Sequence, residues 1–278
     1  MADTPSPGDD VRFVGGLAYA APIGFRPLLL DLYLPAAGAD PAPLVVFMHG
    51  GGWLRGDRSM VSPSFASWRP GPLARMAAAG FAVASVDYRL SGEARFPAQL
   101  EDVSAAVEWL TGQAEVYGFD PGRIVLWGES AGAHLAVLLG LSSRRPPVRG
   151  VVDWYGPADL TALQQQVGAA GALSDDPLDT REARLLGAPV AEVPELARTA
   201  SPLSHVRAGA PPFLIAHGTA DRAVPFQQSE ALAAALAEAG VQVRLTAVDD
   251  ADHMWAGVDD LTPLYDAVVA FAREVTRG

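Results

Sequence analysis

The chain opens with two runs of β character, RFVGGLAYA (12–20) and LLLDLYLP (28–35), separated by a turn rich in Pro and Gly. In the second, Asp31 and Tyr33 alternate with leucines, the pattern of a half-exposed strand. LVVFMHG (44–50) is instead a continuous apolar run bounded by turn residues, as in a strand buried on both faces. From there the period switches regularly between helix and strand. LARMAAAG (73–80) predicts a helix with a glycine stop, and FAVASVDY (81–88) a strand. FPAQLEDVSAAVEWLTGQAEVYG (96–118) predicts one long amphipathic helix, with Leu100, Val103, Val107 and Leu110 at three- and four-residue spacing. Strands are predicted at 123–130, 148–156, 212–218 and 241–248, and helices at 131–143, 227–240 and 261–275.

Strands alternating with helices of this length specify an α/β architecture, a mostly parallel sheet with helices on both faces. About eight strands are expected, the first two forming an antiparallel edge. Residues 1–10 read as a disordered leader. No compositional break or repeat divides 11–278, which reads as a single domain. Residues 157–211, rich in Pro, Ala and Asp, separate two core strands by far more than a loop needs, so a small cap insertion with structure of its own is expected there.

Composition removes several chemistries. A net charge of −12 argues against a nucleic-acid partner, because phosphates need Lys/Arg neutralisation. The sequence contains no cysteine, which eliminates thiolate nucleophiles and Cys-based zinc sites. All 20 basic residues are arginine, so Schiff-base catalysis and Ser-Lys dyads are excluded. No apolar run approaches the ~20 residues of a membrane span, and MADTPSPGDD lacks the basic and apolar regions of a secretory signal. No membrane partner and a cytoplasmic location are therefore expected, while oligomeric state is not readable.

Four motifs carry candidate chemistry. Gly128-Glu129-Ser130-Ala131-Gly132 lies between an apolar strand and an Ala-rich helix, the context in which G-x-S-x-G presents a nucleophilic serine on a sharp turn. His49-Gly50-Gly51-Gly52-Trp53 directly follows the first buried strand. Its glycines allow backbone N–H groups to approach a ligand closely, as an oxyanion hole requires. The expected donors are the N–H groups of Gly51, Gly52 and Ala131. His217-Gly218-Thr219-Ala220-Asp221 ends a later strand, and Asp252-His253 follows the last one. The order Ser130, Asp221, His253 is that of a nucleophile, an orienting acid and a base. Asp249, Asp250 and Asp252 are rival acids, but their closeness in sequence to His253 makes the geometry awkward. Trp53, Trp154, Tyr155 and Trp255 neighbour these motifs and are expected to wall the substrate pocket. His49, His134, His205 and His217 read as structural. No H-E-x-x-H pair and no G-x-G-x-x-G is present, so no metal and no cofactor are expected.

Together, HGGGW (49–53), DYRL (87–90), GESAG (128–132), HGTAD (217–221) and DH (252–253) make residues 28–275 resemble the α/β-hydrolase carboxylesterases, in particular the bacterial hormone-sensitive-lipase-like branch. HGGG begins too early to leave room for that branch's usual N-terminal helical cap. The short start, Gly56-Asp57, FPAQLEDV and VVDWYGPADL look more like a bacterial subgroup that includes feruloyl and acetyl-xylan esterases. The resemblance implies an α/β-hydrolase fold, and serine carboxylesterase chemistry on a small-molecule ester through an acyl-enzyme on Ser130. It also implies that Asp87 and Arg89 are structural. An amidase or arylformamidase with the same triad and a non-catalytic binding protein on the same fold are the alternative readings.

Overall fold

The computed structural model describes residues 11–36, 38, 40–142, 147–167 and 180–277. The expected leader, 1–10, lies outside them, as does part of the expected cap, 168–179. Among the described residues eight strands form one sheet: β1 (Arg12–Ala20), β2 (Leu28–Leu34), β3 (Ala42–Met48), β4 (Ala82–Val86), β5 (Phe119–Glu129), β6 (Val148–Trp154), β7 (Phe213–Gly218) and β8 (Val243–Val248). Their spatial order is β1-β2-β4-β3-β5-β6-β7-β8. β1 pairs with β2 and β2 with β4 antiparallel, and every later pairing is parallel. The α/β-hydrolase architecture read from the motifs is the one observed.

Among the described residues the α-helices are α1 (Pro72–Ala78), α2 (Ala98–Gly112), α3 (Ala114–Tyr117), α4 (Ala131–Leu141), α5 (Leu160–Val167), α6 (Arg181–Leu186), α7 (Pro194–Thr199), α8 (Gln227–Glu238) and α9 (Thr262–Thr276). Alternate strand residues face opposite ways, so the sheet builds two apolar clusters. Leu44, Val46 and Met48 join α2, α4 and α8 on one face. Val45 and Phe47 join α1 and α9 on the other. Leu160, Leu163, Leu185, Val190 and Ala197 from the segment between β6 and β7 belong to the first cluster, so its described helices share the core of the sheet.

Two expectations need correction. β2 is not half exposed: Asp31 and Tyr33 are each only 7% exposed. The Arg58 Nε–H donates to Asp31 Oδ1 at 2.8 Å, and Tyr33 packs against Phe13 with ring centroids 5.0 Å apart. β1 takes the edge position, and β2 is covered on both faces. The helix predicted over 96–118 is two pieces. At Gln113 (φ −104, ψ 4) the α-helical path breaks; one further turn follows and ends on left-handed Gly118 (φ 77).

β5 and α4 meet at such short range that no side chain fits between them. A Cβ on Gly128 would stand 2.3 Å from the Gly132 carbonyl carbon, and one on Gly132 would stand 2.1 Å from the Met48 carbonyl oxygen. These contacts are with backbone, which has no rotamer to yield. Gly132→Ala is therefore expected to lower stability by about 1–3 kcal/mol or more, read as a fall of roughly 2–4 °C in Tm per kcal/mol. Gly112→Ala, where nothing lies within 4 Å of the added carbon, serves as the control and leaves Tm unchanged or slightly raised, since Ala is the better helix former. Equal melting temperatures for the two variants would show that the close approach does not matter.

Candidate active site

Ser130 ends β5 and precedes α4 with φ 54 and ψ −119, a conformation that non-glycine residues rarely adopt and that costs on the order of 1–3 kcal/mol. It persists because both sides are fixed. The Ser130 N–H donates to the Trp154 carbonyl at 2.8 Å, and its carbonyl accepts from the His134 N–H at 3.0 Å. The strained turn lifts Oγ out of the sheet toward the loops that follow β7 and β8.

There the side chains form a relay. His253 Nδ1 lies 2.7 Å from Asp221 Oδ2 and His253 Nε2 lies 3.0 Å from Ser130 Oγ. A carboxylate only accepts, so the imidazole proton sits on Nδ1 and Nε2 is left to accept from the serine hydroxyl. Asp221 is held from every side. Its Oδ1 accepts from the Ala223 and Val224 N–H groups, each at 2.8 Å, and His217 Nε2 stands 3.2 Å from Oδ2. Burial pushes the Asp221 carboxyl up, but His217, His253 and the Val224 N–H outweigh it and keep the group well below the ordinary carboxylate range.

The rival acids are engaged elsewhere. Asp252 pairs with Arg222 and accepts from the His253 N–H at 2.8 Å; Asp249 and Asp250 are exposed. His217 braces the Asp221 loop, with Nε2–H donating to the Val224 carbonyl at 2.8 Å and Nδ1 accepting from Ser229 Oγ at 2.7 Å. His134 ties α4 to the segment after α7 through the Ala200 carbonyl at 2.7 Å, and His205 Nε2 lies 2.7 Å from the Thr199 carbonyl oxygen.

The glycine loop after β3 abuts the nucleophile turn, since a Cβ on Gly50 would lie 3.4 Å from Ser130 Cβ. Gly51 and Gly52 are left-handed, with φ 110 and 63. Among the described residues, none accepts a hydrogen bond from the N–H of Gly51, Gly52 or Ala131. The loop's shape is set from below. Tyr88 Oη donates to the His49 carbonyl at 2.9 Å, and its ring stacks on His49 at 4.3 Å. Tyr88 is held in turn by its neighbours: Arg89 forks onto Asp102 through Nε at 2.9 Å and Nη2 at 2.8 Å, and Asp87 accepts the Arg58 N–H at 2.8 Å.

The four aromatic residues expected to wall an open pocket are all buried, at 2% exposure or less. Trp53 packs edge-on against His134 at 5.0 Å. Trp154 sits between Trp127 and Trp255, at 5.1 and 5.3 Å, inside the core. This corrects the expectation: adjacency in sequence to a motif does not decide which way a ring points, and here the space beneath the site takes the rings. Tyr155 touches the relay itself, with its ring 4.9 Å from that of His253.

Sequence patterns did not single out Ser62 and Ser64. Both hydroxyls donate to the Met254 carbonyl, at 2.8 and 2.7 Å, and so pin a turn in which Met254 and Trp255 are both left-handed (φ 59 and 65). Polar residues in an irregular loop, about 190 positions from their partner, carry no readable signal. Among the described residues no group of three or more His, Asp or Glu gathers to hold a metal.

Residues 30–236 match the family described as BD-FAE. The chain belongs to the BD-FAE family. Esterase LipQ of Mycobacterium tuberculosis is 32% identical over 78% of this chain and 51% of its own length. The chain spans only about half to three-fifths of the length of the first curated relatives it matches. Among solved structures, one described as a truncated form of carbohydrate esterase from gut microbiota superposes with a TM-score of 0.83 at 27% identity, covering 99% of this chain and 100% of that one. The propionate-bound esterase Est2 of Thermogutta terrifontis superposes at 0.69 and 26% identity, covering 96% and 93%.

Next to the nucleophile in this BD-FAE chain, Glu129 is 4% exposed and its Oε1 has no partner. Burial, only partly offset by the Ser62 backbone, pushes its carboxyl up from 4.5 to about 8. The folded state then keeps a proton that the unfolded chain releases between those values. Stability falls as pH rises across that window and levels off above about 8. Glu129→Gln has no such proton to keep. Its Tm is expected to decline less than the wild type's between pH 5 and pH 9, the gap corresponding to a few kcal/mol at most. Parallel Tm-against-pH curves would contradict a buried, proton-bearing Glu129.

Proposed function

We propose that the chain is a serine carboxylesterase that hydrolyses short-acyl or aryl esters of small molecules through an acyl-enzyme on Ser130. The observation that carries this reading is the continuous hydrogen-bonded relay Asp221–His253–Ser130, with the serine on a strained turn beside a glycine loop. Esterase names among the relatives support the same chemistry.

In this reading, Ser130 Oγ attacks the ester carbonyl while His253 Nε2 takes its proton. Asp221 holds the imidazole in the required tautomer and stabilises its charged form. The backbone N–H groups of Gly51, Gly52 and Ala131 receive the oxyanion, worth ~3–4 kcal/mol for a single well-placed donor. The imidazolium then protonates the departing alcohol. Water, deprotonated by the same nitrogen, attacks the acyl-enzyme and releases the acid. The rings of Tyr155 and Trp255 fill the space under His253, which favours short acyl groups, and the propionate in Est2 points the same way. The carbohydrate esterase neighbour favours a sugar on the alcohol side.

Ser130→Ala is expected to lower kcat on 4-nitrophenyl acetate by several orders of magnitude while leaving the fold intact. Asp221→Asn should cost ~10⁴-fold through the wrong tautomer, and Asp252→Asn far less. A crippled Asp252→Asn beside a healthy Asp221→Asn would reassign the acid. Across 4-nitrophenyl esters from acetate to palmitate, kcat/KM is expected to peak at or below about six acyl carbons; an optimum at ten or more would refute the short-acyl reading.

A further inference from the structure

The oxyanion loop carries a passenger. An added Cβ on Gly52 would lie 2.6 Å from Arg181 Cδ and 3.2 Å from Arg181 Nε. The arginine stem therefore lies directly against the residue expected to donate to the oxyanion. Gly50, two residues back in the same loop, abuts Ser130 Cβ, so Arg181 packs on the loop that borders the nucleophile.

The placement is built into the fold. Arg181 opens α6, whose Thr180 Oγ1 accepts from the Ala183 N–H at 3.0 Å. Ala183, Leu185 and Leu186 are buried, and the Leu185 carbonyl accepts from the Phe96 N–H at 2.9 Å. A second cation, Arg95, packs on Gly187 at the helix's other end, its Nε 2.3 Å from where a Cβ would stand.

What sets this arginine apart is its packing against Gly52. In lacking a carboxylate partner among the described residues it is like Arg75 and Arg207, which hydrogen-bond backbone carbonyls. Arg58, Arg89, Arg123 and Arg244 each sit on a carboxylate. Among the described residues no carboxylate lies within ion-pair distance of Arg181. Glu182, its chain neighbour, is an acid that feels it, and burial pushes the Glu182 carboxyl up from its ordinary range. In a chain of net charge −12, a cation that lies against the oxyanion loop and has no carboxylate partner among the described residues is suited to an anion brought by the ligand.

Resting on the esterase reading above, we propose that Arg181 is a specificity-determining residue that recognises a carboxylate on the substrate, close to the scissile ester. A guanidinium engages a carboxylate through two parallel hydrogen bonds. The carboxylate can belong to the acid or to the alcohol portion, and two substrate pairs separate these. Mono-4-nitrophenyl succinate against 4-nitrophenyl butyrate probes the acyl side. 4-Acetoxybenzoate against its methyl ester probes the leaving-group side.

The readout is the ratio of kcat/KM, anionic over neutral, for wild type, Arg181→Gln and Arg181→Lys. For one of the two pairs, Arg181→Gln is expected to lower the ratio tenfold or more. Arg181→Lys, which keeps the charge and loses the fork, should fall between. Raising NaCl to about 0.5 M should lower the wild-type ratio for the same pair, a measurement that does not depend on any variant folding. Ratios unmoved by salt and by both substitutions, in a wild type that cleaves the neutral esters, overturn the assignment alone. A wild type inert toward all four esters overturns the esterase reading, and this assignment with it.

Discussion

One backbone constraint organises the molecule, the left-handed turn at Ser130 between β5 and α4. It exists because Gly128 and Gly132 carry no Cβ, which lets α4 come down onto the ends of β3 and β5 at backbone contact. Neither glycine is free to change, and the two hold a serine in a conformation it would otherwise leave. The cost of that strain, on the order of 1–3 kcal/mol, is offset by a helix buried along its whole length. What results is a hydroxyl fixed at the carboxyl edge of a mostly parallel sheet, where the loops after β3, β7 and β8 converge.

The convergence is held by polar contacts in places where an unpaired group would be costly. Asp221 accepts from two backbone N–H groups and from the His253 imidazole, with His217 standing 3.2 Å away. Tyr88 and His49 fill the floor of the glycine loop, and Ser62 with Ser64 fix the Met254 carbonyl. Five non-glycine residues with positive φ, Trp53, Ser130, Tyr155, Met254 and Trp255, crowd this one region. Strain concentrated at a single edge of an otherwise regular sheet fits a site whose geometry is imposed by its surroundings rather than chosen by the residues themselves.

The sheet and its order of elements were legible because strand and helix periods alternate cleanly from residue 44 onward. Ser130, His253 and Asp221 were legible because each follows a strand and sits beside glycine or in a short motif. Other features depend on contacts that no local pattern encodes. The burial of Asp31 follows from Arg58, 27 residues away. The direction of the Trp154 and Trp255 rings follows from the room left by Trp127 and Phe65. Arg181 lies in a segment without hydrophobic period, and only its packing on Gly52 brings it to the site. Separation along the chain, not weakness of the interaction, hid these residues.

The central claim, that the fold activates one serine among all its hydroxyls, is tested most directly by covalent trapping. The wild-type protein is treated with a fluorophosphonate at neutral pH, digested, and its peptides are mapped by mass spectrometry. The expected result is a single phosphonyl adduct on Ser130, absent from His253→Ala under the same brief exposure. An unlabelled protein, or an adduct on a different hydroxyl with Ser130 untouched, would contradict it.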